Sequence, residues 1–272
     1  MHITKKAVLG IILSSVTVFY VAGSPAQDMR WEAGVGLVGV NLPLYPGSSQ
    51  DAAYLIPFPY LRLESEYLDI DQGLESKLFR SNKVRFSLSG GLGVPVNSAD
   101  STARAGMPDL DLVLQLGPSL DVIFDKRSQG AREFRLELPV RLAVATDFSS
   151  TRSAGWLFEP RFVYESKRKH KAGWAYESTV GVRFATDSYH GYYYNVDPQY
   201  ATATRPAYSA SGGYSGLFTD LIASWRKRSL IYFAWVRYQY LGGVQYEDSP
   251  LFEDDNYWFL GIGINWIYAE SL

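Results

Sequence analysis

Residues 109–124 read DLDLVLQLGPSLDVIF, and their two-residue period decides the fold class. Leu110, Leu112, Leu114, Leu116, Pro118, Leu120, Val122 and Phe124 hold the even positions; Asp109, Asp111, Val113, Gln115, Gly117, Ser119, Asp121 and Ile123 hold the odd ones. Successive side chains on a strand point to opposite faces, so the stretch predicts a long ribbon with one apolar and one largely polar side. A polar turn, Asp125–Ala131, follows, and the period restarts. Phe134, Leu136, Leu138, Val140, Leu142 and Val144 alternate with Glu133, Arg135, Glu137, Pro139, Arg141 and Ala143.

The same reading extends in both directions. Trp156, Phe158, Pro160, Phe162 and Tyr164 alternate with Leu157, Glu159, Arg161, Val163 and Glu165. After a Lys167–Lys171 turn, Trp174, Tyr176, Ser178, Val180, Val182 and Phe184 oppose Glu177, Thr179, Gly181 and Arg183. Earlier faces are Trp31–Leu37 and Val84–Val94; later strands are Gly213–Arg226, Leu230–Leu241 and Asn256–Tyr268, where both faces carry aromatics. Tyr54–Glu64 and Tyr67–Phe79 complete eleven segments. Bacterial membrane barrels use even strand numbers, and about 20 residues per strand and connector predicts twelve, with ten as the alternative if Tyr54–Phe79 supplies one strand.

Short turns (Asp125–Ala131, Lys167–Lys171, Lys227–Ser229) alternate with long connectors (Asn41–Ala53, Pro95–Pro108, Asp187–Gly212, Gly242–Asp255). Outer-membrane barrels share this asymmetry, with tight periplasmic turns and long external loops. Trp31, Trp156, Trp174, Trp225, Trp258 and Trp266 fall near strand ends, where an aromatic girdle meets the headgroups; Trp235 is mid-strand. A soluble β-sandwich also alternates. Its strands usually span only about 5–6 residues, and water on its polar face gives no reason for aromatic ends. The fold expected is therefore all-β: one transmembrane antiparallel up-and-down β-barrel.

Composition agrees. The 272 residues are 47% hydrophobic and 15% aromatic, yet the mean hydropathy is only −0.11, which a lipid-facing protein reaches when apolar and polar residues alternate. The absence of cysteine excludes disulfides, thiolate metal sites and a catalytic thiol. A formal charge of −2 offers no nucleic-acid footprint. Lys5 and Lys6 precede the apolar stretch Ala7–Ala22, and Ser24-Pro25-Ala26 supplies small residues for cleavage after Ala26. Residues 1–26 are thus read as a signal peptide and 27–272 as the barrel.

Catalytic chemistry has little foothold. His2 lies in the leader, His170 in a basic turn, and His190 near Asp187 and Ser188 without a triad spacing signature. Asp69, Asp71, Asp100, Asp109 and Asp111 lack the calcium-loop pattern, so no metal or cofactor is expected. The inward charges say more. Glu133, Arg135, Glu137, Arg141, Glu159, Arg161, Glu165, Glu177 and Arg183 occupy the polar faces of consecutive strands. Facing lipid, each Arg would cost about 2–4 kcal/mol at the midplane, so they are placed in the lumen. Their balanced signs predict cross-strand ion pairs filling a small barrel; a polar ring lining a narrow pore is the alternative. Tyr189, Tyr192, Tyr193 and Tyr194 are read as a lid over the mouth, with sugar or lipopolysaccharide stacking as the alternative.

Spaced motifs carry a family resemblance: Tyr45-Pro46-Gly47-Ser48 with Pro57-Phe58-Pro59-Tyr60; Asp109-Leu110-Asp111 with Leu116-Gly117-Pro118; Gly155-Trp156 with Pro160; Tyr192-Tyr193-Tyr194-Asn195-Val196; Pro206-Ala207-Tyr208; Gly212-Gly213-Tyr214; and Asp248-Ser249-Pro250-Leu251. In this order they resemble the MipA/OmpV family. Asn195, where a glycine is expected, and the Ala269-Glu270-Ser271-Leu272 tail depart from its pattern. The resemblance implies a non-enzymatic outer-membrane scaffold that brings a lytic transglycosylase near a peptidoglycan synthase. Other family members are porin-like or surface-exposed, so a narrow channel is the second reading. Outer-membrane lipid and lipopolysaccharide would surround the wall.

Overall fold

The computed structural model describes residues 30–64, 69–70, 77–80, 83–127, 132–168 and 172–271. The leader assigned to residues 1–26 lies outside the described residues, as do residues 128–131 and 169–171 of two short turns, His170 included. The strands are β1 (Arg30–Pro43), β2 (Asp51–Glu64), β3 (Asp69–Ile70), β4 (Lys77–Arg80), β5 (Val84–Gly93), β6 (Leu112–Arg127), β7 (Arg132–Thr146), β8 (Thr151–Phe158), β9 (Arg161–Ser166), β10 (Gly173–Ala185), β11 (Gly213–Lys227), β12 (Leu230–Tyr240) and β13 (Asn256–Glu270). Among the described residues one α-helix, α1 (Asp187–Tyr194), interrupts them.

These segments form one antiparallel sheet of order β3-β2-β1-β13-β12-β11-β10-β8-β7-β6-β5-β4, with β9 between β10 and β7. β1 pairs with β13 from Glu32↔Glu270 to Asn41↔Leu260, so the first long strand closes against the last. Apart from β10 and β8, which are linked through β9, every other pair of neighbours along this path is consecutive in sequence, the mark of an up-and-down barrel.

Alternation places the faces. Leu114, Leu116, Leu120 and Phe124 of β6 are exposed, whereas Val113, Ser119, Asp121 and Ile123 are buried. The other long strands repeat the pattern with Leu37, Val140, Phe162, Val180, Leu221 and Ile262 outside. An apolar exterior of this extent is stable only against hydrocarbon, because water penalises it by about 25 cal/mol per Å². The protein is a transmembrane β-barrel. Leu110 departs from the expected outer face: it bridges Val96 beyond the end of β6 and is buried among the loops.

Two strand assignments change. Tyr67–Phe79, expected as one strand, contains β3, which pairs with β2, and β4, which pairs with β5. The polar Asp71-Gln72-Gly73 interrupts the apolar period there. The strand expected through Trp156–Tyr164 is split into β8 and β9 at Glu159-Pro160, because proline has no amide to give the ladder. The break stays bridged: the Glu159 amide donates to Pro139 O at 3.2 Å, and the Val182 amide donates to Pro160 O at 3.1 Å.

Candidate functional site

Inside the wall the ionised side chains form a ladder across strands. On β7, the Arg135 guanidinium donates from Nε to Glu137 at 2.7 Å and from Nη1 to Glu165 of β9 at 2.9 Å, and its Nη2 lies 3.7 Å from Glu177 of β10. Its Nη1 also lies 3.5 Å from Glu133. Arg161 of β9 returns to Glu137 at 2.6 Å. Nearer the lid, Glu159 accepts from Arg183 of β10 at 2.5 Å and from Arg141 of β7. Arg141 also donates to Gln115 at 3.1 Å, and Gln115 donates to the Tyr189 hydroxyl at 3.4 Å. All the charges assigned to the lumen from sequence therefore lie within two connected groups.

The ladder has members that sequence did not single out. Arg85 of β5 donates to Asp121 at 2.7 Å and to Glu133 at 3.0 Å. Arg226 of β11 reaches Glu32 of β1 at 2.7 and 2.9 Å, past β12 and β13, a contact only a strongly curved wall allows. Arg237 of β12 pairs with Asp220 at 2.7 and 2.9 Å. Arg85 is within reach of sequence reasoning, since Val84, Phe86 and Leu88 fix residue 85 as inward. Arg226 and Arg237 lie on strands whose inner aromatics blur the alternation.

Those aromatics fill the other side of the lumen. Trp235 packs on Phe259 at 4.2 Å between centroids and donates its Nε1 to Asp220 at 2.8 Å. Phe58 meets Phe233 edge-on at 6.3 Å, and the Arg237 guanidinium sits 4.9 Å from the Phe218 centroid. The rings lie over inward glycines: a Cβ at Gly181 would come within 2.5 Å of Phe218, and one at Gly36 or Gly263 would collide with Phe58 or Phe233. The interior is thus mainly ionic along β5–β10, while along β2 and β11–β13 aromatic rings share it with the Arg226–Glu32 and Arg237–Asp220 pairs.

Above it, the long connectors interlock. Tyr189, Tyr193 and Tyr194 are buried, and Tyr192 is half-buried. Tyr194 stacks on Tyr246 at 3.7 Å with ring planes 9° apart, donates its hydroxyl to Pro46 O at 2.7 Å, and accepts at its carbonyl from Ser249 Oγ at 2.8 Å. The Tyr45 hydroxyl donates to Leu251 O at 2.9 Å, and buried Arg104 donates to Tyr193 O at 2.9 Å. Tyr192 accepts from the Asp111 amide at 2.7 Å, under the Arg152 guanidinium. The larger apolar cluster among the described residues sits here: Val96, Leu110, Val196, Leu241, Val244 and Leu251 pack with the tyrosines.

Residues 187–194, expected as loop, form the helix α1. It forms because Thr186 O receives the Tyr189 and His190 amides, and because Tyr189/Tyr193 and His190/Tyr194 are i, i+4 neighbours. Gly155, with φ +99°, admits it: a Cβ there would lie 2.7 Å from the Tyr189 amide nitrogen. Burial pushes the tyrosine hydroxyls of α1 up, and that of Tyr45 up to about 12.

His190 is fully buried; its Nδ1 lies 2.6 Å from Ser211 O and its ring meets Tyr246 edge-on at 4.7 Å. Burial above all, with nearby Arg183 adding to it, holds its imidazole below the ordinary range, against the opposing effects of Ser211 O and Asp187. A base that is harder to protonate when folded makes the unfolded chain the stronger proton binder, so stability falls with falling pH. The protection of the lid amides, taken relative to the intrinsic exchange rate at each pH, is expected to fall as pH drops through about 6.5, the unfolded histidine value. His190→Phe should flatten that dependence; an unchanged pH profile would separate His190 from it.

Residues 35–268 match the family model described as MltA-interacting protein MipA. The chain belongs to the MipA family. The matched region takes in all of the lid and nearly all of the wall, from Val35 of β1 to Tyr268 near the far end of β13. No curated protein matches. Among solved structures, the translocator domain of autotransporter NalP from Neisseria meningitidis is 9% identical, covers 88% of each chain and has a TM-score of 0.38. The Pseudomonas putida toluene transporter TodX is 10% identical over 90% of this chain and 69% of its own, with a TM-score of 0.28. A Pseudomonas aeruginosa FadL homologue is 6% identical over 89% of this chain and 90% of its own, also at 0.28. Likenesses this loose carry no weight, and the barrel rests on its own strand pairing.

Proposed function

We propose that this MipA-family barrel sits in the outer membrane of a Gram-negative envelope as a non-enzymatic scaffold for peptidoglycan-remodelling enzymes. The observation that carries the reading is the doubly closed interior: an ion-paired, aromatic-filled lumen beneath an interlocked lid. A wall so filled is built to hold shape rather than to pass solute. The family's description names an interaction with MltA, which supports a lytic transglycosylase as one partner; a peptidoglycan synthase as the other is what the family resemblance implies. The short turns, Asp125–Ala131 and Lys167–Lys171, would face the periplasm and carry the docking contacts.

A narrow porin-like channel is the second reading, favoured by the ionised groups facing the interior. Planar-bilayer recording separates the two. The scaffold reading expects no steady conductance from the purified barrel and retention of a lytic transglycosylase on it, weakened when residues 167–171 are replaced by Gly and Ser. Steady current with no enzyme retained would instead establish the channel.

A further inference from the structure

Four successive short turns along the sheet, β4–β5, β6–β7, β9–β10 and β11–β12, are basic in sequence; the acids beside their strand junctions are Asp125, Glu133 and Glu165, of which Glu133 and Glu165 are held by Arg135. The β2–β3 turn, beyond β1 and β13, carries Glu64, Glu66 and Asp69 instead, so the basic run is a crescent rather than a ring. The opposite end is acidic: the β12–β13 connector alone holds Glu247, Asp248, Glu253, Asp254 and Asp255.

Arg132, Lys227 and Arg228 of the crescent are exposed. Lys227 ends β11 on the lipid-facing side, two residues after Trp225, and its ammonium lies 6.0 Å from that ring's centroid. Trp225 neighbours Trp174 at 6.4 Å and Tyr232 at 5.8 Å, all on the outer wall. Trp and Tyr on a barrel exterior mark headgroup depth. Lys227 is therefore delivered to the level of lipid phosphates, and Arg228, with φ +56°, turns the hairpin so that a second cation follows at once. A soluble partner would meet only the turn tips. A lysine set on the wall beside a tryptophan belt fits lipid.

We propose that this crescent binds the phosphate headgroups of anionic phospholipid in the leaflet at the short-turn end, with Arg132, Lys227 and Arg228 as contacts and Trp174 and Trp225 setting depth. The inference needs only the membrane-spanning wall and is independent of any enzyme partner.

Native mass spectrometry of the detergent-solubilised full barrel, loaded with equal phosphatidylglycerol and phosphatidylcholine, tests it. Wild type is expected to retain phosphatidylglycerol preferentially, undiminished by millimolar inorganic phosphate. Each of Arg132→Gln, Lys227→Gln and Arg228→Gln should lower the preference roughly fivefold, while Lys227→Arg should keep it. Folding of each variant is checked by heat-dependent electrophoretic mobility. Equal retention of the two lipids by wild type, or an unaltered preference in the triple variant, would overturn the assignment. So would a triple variant that loses enzyme capture with its lipid preference intact, since the surface would then contact protein. Loss of enzyme capture by wild type alone would count against the scaffold reading and leave this one standing.

Discussion

Replacing Glu159 with Gln is expected to cost about 3–5 kcal/mol of barrel stability, because it strands two guanidinium groups in a buried site. Glu159 is 3% exposed and accepts from both Arg141 and Arg183 at the Glu159-Pro160 break. The ion group as a whole need not exceed a well-packed apolar filling in stability, since desolvation offsets much of its attraction. Removing one member is a different matter. The measurement is the urea midpoint of the heat-resistant band in lipid or detergent, which should fall in Glu159→Gln and recover in part when Arg183→Met is added. A midpoint equal to that of the wild type would show that the triad contributes nothing to holding the interior together.

Tyr194→Ala is expected to open the lid while leaving the wall intact. The substitution removes a buried ring stacked on Tyr246, worth about 3–5 kcal/mol by analogy with other buried aromatics, and a hydroxyl bond to Pro46 O of about 1 kcal/mol. No residue of α1 takes part in the strand ladder, so the effect should stay local. Arg104, 3% exposed and bonded to Tyr193 O, reports it. Trypsin cleavage at Arg104 should rise on the order of a hundredfold, as the open population grows, with the heat-dependent mobility shift of the barrel retained. Cleavage as slow as in wild type would mean that the loops hold together without this ring.

How much of this was legible depends on the range of the interaction. Alternation is local, so the stretch from Asp109 to Phe124 yields strand, face and lipid exposure without further help. The same logic places Arg135 and Glu137 in the lumen, because lipid would penalise them. It weakens on β11–β13, where Phe218, Trp235 and Phe259 point inward and make both faces look apolar. The lid is the harder case. Tyr45, Tyr194, Tyr246 and Leu251 meet through connectors that share no periodicity, and α1 gives no helical signal because four of its eight residues are tyrosines and a fifth is glycine. The pairs between Arg226 and Glu32 depend on curvature, which no window of sequence contains. The Glu159-Pro160 break was visible as a proline but not as a change of strand.

The bond from Tyr45 to Leu251 joins residues 206 positions apart, and Ser49 likewise donates its amide to Glu253 at 3.1 Å. The cap over the mouth therefore needs the final hairpin before it can shut. A chain that has not yet placed this hairpin lacks both bonds, so its upper opening cannot be fully sealed until residues 251–253 arrive.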